Sequence, residues 1–248
     1  MRFGSLFAGI GGFDLGFERA GLSCRWQVEI NPFCQKVLEK HWPKVIRRKD
    51  IRNFPPPKGD WSVDVICGGF PCKQTSTAAA PHHRRTGLAG EDSGLWFEML
   101  RVVRLVQPRW VVVENVAGAK SWEETITSGL ADAGYKGVRP HPFEVSAEGV
   151  GAPHRRSRLF WLAHRTQPGL ETPRFPDPPR REGRQWCRTE RHPWDGPLPR
   201  GVRVADGVPR RLDRRVRIVA VGNAVVPQVA EMIGKYLLDC DAVLRRLL

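Results

Sequence analysis

Phe3-Gly4-Ser5-Leu6-Phe7-Ala8-Gly9-Ile10-Gly11-Gly12-Phe13, near the start of a 248-residue chain, reads as a short apolar strand, a glycine-rich turn and the first residue of a helix. Glycines at such a turn let a ligand approach the backbone and the helix N-terminus closely. Glu29 follows at the end of a second apolar run, where a carboxylate can accept hydrogen bonds from ribose hydroxyls. Together they point to a ligand containing adenosine, although the spacing is not a clean G-x-G-x-x-G. A plain packing turn is the alternative. Asp50-Ile51 closes a third apolar stretch, and Asp50 there either faces an adenine amino group or caps a turn.

Outward from this unit, apolar runs alternate with helical patterns. Strands are expected over 2–7, 24–29, 63–67, 110–113, 137–145 and 158–163. Helices are expected over 13–20, 32–41, 95–106 and 122–133, with Asn31 as a cap and Pro32 in a first turn. This alternation predicts an α/β fold, a mostly parallel sheet with helices on both faces. A further strand over 218–221 and a closing helix over 226–248 are expected near the end.

The character changes at Arg165. From there to Arg217 the chain has 14 Arg, no Lys, nine Pro and seven acidic residues, a net +7 that is half of the chain's +14. The prolines argue against long helices or central strands. Such a segment is either a disordered linker or an irregular module that orders on a phosphate backbone. The overall charge favours a polyanionic partner, with a well-solvated basic surface as the alternative. The six cysteines show no CxxC pair and no metal-ligand spacing, so a disulfide framework and a zinc site are not expected and a reducing cytosol fits. Neither a secretory signal nor an apolar run of membrane-spanning length is read.

Three further groups carry chemistry. Gly68-Gly69-Phe70-Pro71-Cys72 follows the apolar run 63–67 and presents one thiol on a turn past a strand. Cys72 is either a nucleophile, if its neighbours lower its pKa, or a buried apolar residue. Glu114-Asn115-Val116 ends the run Trp110-Val111-Val112-Val113, and partial burial there would raise the Glu114 carboxyl toward a proton donor's range. A helix cap is its other reading. In His154-Arg155-Arg156-Ser157-Arg158, a strand would put Arg156 and Arg158 on one face, as two planar forks for a base edge or phosphate or as a solvated edge.

In this order, Phe7-Ala8-Gly9-Ile10-Gly11-Gly12, Gly69-Phe70-Pro71-Cys72, Glu114-Asn115-Val116, His154-x-Arg156-x-Arg158 and Gly222-Asn223-Ala224-Val225 resemble the motifs of the DNA (cytosine-5)-methyltransferases. The resemblance covers nearly the whole chain except 165–200. It implies an S-adenosylmethionine-dependent, Rossmann-like catalytic domain with a small irregular recognition region. The implied boundaries are 1–164 for the catalytic and cofactor-binding part, 165–203 for recognition, and 204–248 for a return segment and final helix. Phe7, Ala8, Gly9, Ile10, Gly11 and Gly12 would surround the cofactor's methionine end and Glu29 would hold the ribose. Asp50 and Ile51 would lie at the adenine, and Ile30, Pro71, Leu95, Asn223 and Val225 would complete the pocket.

The same resemblance implies that Cys72 attacks C6 of a flipped cytosine while Glu114 protonates N3. Arg158 would contact the base, and Arg156 would support the loop bearing Cys72. Double-stranded DNA is the implied partner, with no metal and no membrane, in a cytoplasmic monomer of bacterial or phage type. Lys73 and His154 stand where the family usually has Gln. Gly87 to Gly94 would belong to a catalytic loop or its hinge, and the small recognition region suggests a short target or loose specificity. A transfer-RNA substrate and a silent DNA-binding homologue are the competing readings.

Overall fold

The computed structural model describes residues 1–71, 94–116, 122–150, 156–166 and 224–246. They form an eight-stranded sheet and five helices in the order β1 (Arg2–Leu6), α1 (Gly12–Arg19), β2 (Ser23–Val28), α2 (Pro32–His41), β3 (Ile46–Arg48), β4 (Val65–Gly69), α3 (Leu95–Val106), β5 (Trp110–Val116), α4 (Glu123–Asp132), β6 (Tyr135–Gly137), β7 (Phe143–Ser146), β8 (Ser157–Arg165) and α5 (Pro227–Arg245). Strand order is β3-β2-β1-β4-β5-β8-β6, with β7 also on β8. The first five strands pair in parallel. β8 runs antiparallel to β5, β6 and β7. The fold is therefore the expected α/β type, a mostly parallel sheet covered on both faces.

Residues that alternate along β4 and β5 divide between two apolar layers. Ile66, Val111 and Val113 face Trp96, Met99, Val103 and Ile126 of α3 and α4. Val65, Cys67, Trp110 and Val112 face Phe13 and Phe17 of α1 and Ile233 and Leu237 of α5. Burial on both sides explains why β5 reads as an unbroken apolar run and not as an alternating one. α1 and α5 approach closely because Gly16 lies against Ala230 and the Pro227 carbonyl, while Gly234 lies against Ala20.

Several expectations are corrected. The single strand expected over 137–145 is two, β6 and β7, with Pro140 and Pro142 in the gap between them. Proline has no N–H to donate to a ladder. β3 is a three-residue edge strand, too short to give a periodic signal. β5 continues through Val116, so Glu114 lies within it. Asn31 caps α2 as expected, accepting from the backbone N–H groups of Phe33 and Cys34. The strand expected over 218–221, the recognition region from 167 onward and residues 72–93 lie outside the described residues, while Arg165, the expected first residue of that region, ends β8.

Candidate active site

Strand order reverses between β1 and β4, and in open α/β sheets ligands collect at the carboxyl edge of that point. The turn after β1, the ends of β2 and β4, and Glu114 near the end of β5 all lie on this edge. Because β8 is antiparallel, its first residues reach the same edge, with Arg158 opposite Val116 and Phe160 opposite Glu114.

The glycine-rich turn is held from both sides. Phe7 (φ 53°), Gly9 (φ 57°) and Gly11 (φ 88°) are left-handed, a region that glycine enters at little cost and phenylalanine does not. Glu29 is 8 % exposed. One of its carboxylate oxygens accepts from the Gly9 N–H at 2.7 Å and the other from the Asn31 N–H at 2.7 Å. Each oxygen keeps a further lone pair. A Cβ on Gly11 would strike the Trp42 ring and one on Gly12 the Val225 backbone, whereas one on Gly9 would come no nearer than 4.0 Å to any heavy atom outside its chain neighbours. Gly11 and Gly12 are thus packing glycines, and Gly9 faces open space. Ile30, next to Glu29, is 63 % exposed, an apolar surface beside a carboxylate.

An adenosine-bearing cofactor fits this edge: a carboxylate at a strand end, an open backbone turn and an uncovered aliphatic side chain lie side by side. Ile51 is buried in the α3 layer, and Leu95, the first residue of α3, packs against the same layer. Asp50 accepts from the Arg52 N–H at 3.0 Å and so caps the 3-10 turn Ile51–Asn53, which realises its capping reading.

On the other side of β4 the site is charged. Gly69 pairs with Glu114 across the ladder and leaves no space for a Cβ beside the Glu114 carboxyl. Phe70 anchors the strand end between Trp96 and Trp122, with ring centroids 5.7 and 5.3 Å away. Pro71 is the last described residue there. Cys72, one peptide bond further, lies outside the described residues, as do His154 and Asn223.

Glu114 is 7 % exposed. Burial pushes its carboxyl up to about 7, against the opposing pull of Arg158 and then Arg156, since desolvation disfavours the charged form. Arg158 Nε lies 2.9 Å from Glu114 Oε1. One Arg158 Nη1 donor goes to the Ser157 carbonyl, and Nη2 has no partner among the described residues.

The shared strand face expected for the two arginines is not observed. Arg156 lies before β8 with φ 31°. Its Nη2 donates at 2.6 Å to the carbonyl of Ala224, a contact distinct from the expected support of the segment after Pro71.

The sequence reading missed a buried polar network under the turn. Asp14 of α1 is fully buried and accepts from Gln27 Nε2 at 2.8 Å, Ser5 Oγ at 3.1 Å and Cys24 Sγ at 3.4 Å. Burial raises its pKa, and these hydrogen bonds oppose the rise. Gln27 in turn accepts from Arg47, which also donates to the carbonyls of Leu38 and Trp42. The available signal was an aspartate directly after Phe13 in a helix whose face is otherwise apolar. Among the described residues no group of three or more His, Cys, Asp or Glu could hold a metal ion, and no helix is long and apolar enough to cross a membrane.

A family model described as C-5 cytosine-specific DNA methylase matches residues 1–191. The chain belongs to this family. It is 30 % identical over 188 residues to the type II methyltransferase M.HpaII of Haemophilus parainfluenzae, spanning 72 % of this chain and 50 % of that protein. It is 27 % identical to M.HhaI of Haemophilus parahaemolyticus over 72 % of this chain and 53 % of that one. M.AquIA of Picosynechococcus sp. is 31 % identical and matched over 70 % of this chain and 75 % of its own length. The chain spans about half the length of the first two.

Among solved structures, a DNA modification methyltransferase encoded within an E. coli prophage shares the fold at a TM-score of 0.54 and 24 % identity. That match covers 66 % of this chain and 47 % of the other. Spodoptera frugiperda DNMT2 shares it at 0.54 and 18 % identity, over 71 % and 53 %. The α/β fold of this family member is thus that of known methyltransferases.

Proposed function

We propose that this chain transfers a methyl group from S-adenosylmethionine to C5 of cytosine in double-stranded DNA. The observation that carries the reading is Glu114: a buried carboxyl raised to about 7, paired with Arg158 and beside the strand end that leads through Pro71 to Cys72. A protonated acid in that position suits a ring nitrogen that must gain a proton as a nucleophile adds to the same ring.

Glu29 would hold the ribose of the cofactor. Phe7, Ala8, Gly9, Ile10, Gly11 and Gly12 would enclose its methionine end. Ile30, Asp50 and Ile51 would border the adenine, and Pro71, Leu95, Asn223 and Val225 would complete the enclosure. When bound, S-adenosylmethionine supplies an electrophilic methyl group on a positively charged sulfur.

The chain's own residues make C5 able to accept it. The Cys72 thiolate adds to C6, the C5–C6 π pair moves toward C5, and the Glu114 proton passes to N3. Once C5 carries the methyl group, whose bond to the sulfonium sulfur would break to leave a neutral thioether, transfer of the C5 proton to solvent water restores the double bond, breaks the C6–S bond and releases the thiolate. The N3 proton returns to Glu114. Arg158 orients the Glu114 carboxyl and offers Nη2, which has no partner among the described residues, to the base. Because the target ring is stacked in a duplex, the base must leave the helix at a cost of a few kcal/mol. The chain's +14 charge supports a phosphate contact that offsets this cost and weakens with salt.

The test is incubation with methyl-labelled S-adenosylmethionine and either cytosine-containing duplex or transfer RNA at low salt. Label in duplex is expected, along with covalent trapping on 5-fluorocytosine DNA that Cys72→Ser abolishes. Label in transfer RNA alone, or none in either, overturns the reading. Trapping that survives Cys72→Ser removes Cys72 from its role.

A further inference from the structure

Arg156 joins two halves of the site that are far apart in sequence. Its side chain donates at 2.6 Å to the Ala224 carbonyl. The next residue, Val225, lies with its backbone directly on Gly12, where not even a methyl group would fit. Gly12 begins α1 and ends the turn whose Gly9 N–H is held by Glu29. A guanidinium beside Glu114 is thus two short steps from the cofactor turn.

The backbone at this position supports a built-in role. Arg156 has φ 31°, a conformation that costs a non-glycine residue energy and persists only where the surroundings hold it. Its own carbonyl is held by the N–H of Ala147 at 3.4 Å, and the residues that follow pair with β7. A strained, anchored backbone carrying a short charged contact is the pattern of a functional constraint.

We infer that Arg156 is a positioning residue that sets the cofactor pocket from the base side, holding Ala224 so that Val225 seats against Gly12. The inference rests on the proposed cofactor. It goes beyond the role that family resemblance gives Arg156, because its object is the pocket wall and not the segment after Pro71. The same cation also faces Glu114, so one residue ties the shape of the pocket to the state of the proton donor. Among the described residues, the charges that act on Glu114 are Arg158 in β8 and Arg156; β4 presents Gly69 there.

Calorimetric titration of S-adenosylmethionine, without DNA, tests the positioning in the full chain. Arg156→Gln is expected to weaken binding about tenfold or more, the effect of losing a charged hydrogen bond. Arg156→Gly removes the side chain but relieves the positive φ. It is expected to keep or raise the melting temperature while binding as weakly as Arg156→Gln. Arg156→Lys keeps the charge without the planar fork. It is expected to leave the alkaline limb of the methyl-transfer pH profile in place and to recover cofactor affinity only in part, whereas Arg156→Gln moves that limb upward.

Wild-type affinity in Arg156→Gln or Arg156→Gly overturns the inference alone. So does a loss that merely follows a lowered melting temperature in both. A wild-type chain that binds no S-adenosylmethionine overturns the proposed function, and the inference with it.

Discussion

The turn after β1 and the edge around Glu114 lie on one sheet, yet they are made in opposite ways. The turn is backbone and glycine: Gly11 and Gly12 are packed against Trp42 and Val225, Gly9 is open, and Glu29 accepts two N–H groups. The edge around Glu114 is charge in a dry place, a carboxyl 2.9 Å from an arginine and still raised by burial. A ligand at the turn would be recognised by shape and hydrogen bonds, whereas the chemistry proposed near Glu114 would depend on which group holds a proton.

The largest expected effect breaks the comparison if it fails. Cys72→Ser should abolish labelled methyl transfer, by about a thousandfold or more, because a neutral hydroxyl is a far weaker nucleophile than a thiolate. Its cofactor affinity, measured by calorimetry, should stay near wild type. Equal loss of both would mean that the two regions are not separable.

Next comes Glu114→Gln, expected to lower kcat by about 10²- to 10⁴-fold, the range for losing a positioned acid. In wild type, Glu114 is protonated below about 7 and ionised above, so kcat/KM should fall as pH rises through that value. The limb should vanish in the amide variant.

On the turn side, Gly12→Val should weaken S-adenosylmethionine binding at least tenfold, since the Val225 backbone must move. Because Val225 follows the Ala224 that Arg156 holds, the variant's residual transfer should also show a shifted alkaline limb. A wild-type profile would show that the turn and the proton donor are independent.

The smallest effect is on stability. Glu114 binds its proton more tightly folded than unfolded, so its contribution falls as pH rises from about 4.5 to about 7 and changes no further above that. The difference is at most on the order of 3 kcal/mol. Denaturant melts across that range should lose this part of their slope in Glu114→Gln.

The turn was legible because glycines, a following helix pattern and a carboxylate at the next strand end are local signals. β4 and β5 were legible as short unbroken apolar runs, and α3 because its apolar residues recur at helical spacing. The Glu114 and Arg158 pair was half legible. Its residues stood out, but their meeting depends on β8 entering antiparallel beside β5, which no local pattern encodes. The break between β6 and β7 is signalled by Pro140 and Pro142, which cannot donate to a ladder. Asp14 was hidden because its partners Ser5, Cys24 and Gln27 come from two other strands, and an isolated aspartate in a first helical turn normally reads as solvated. The shared face of Arg156 and Arg158 supposed that the strand expected from 158 extends back to Arg156, since alternation is the default for such a run. Its left-handed backbone is imposed from outside the segment.

The close seating of α5 on α1 has a consequence for how the chain is made. Gly16 and Gly234, with Ala20 and Ala230 between them, bring the two helices together, but roughly two hundred residues separate their synthesis. At about 5–20 residues per second, a ribosome would hold Phe13 and Phe17 without their eventual cover for some ten to forty seconds. The nascent chain would present an apolar strip to chaperones throughout, and the glycine turn could gain its last wall only after α5 had emerged.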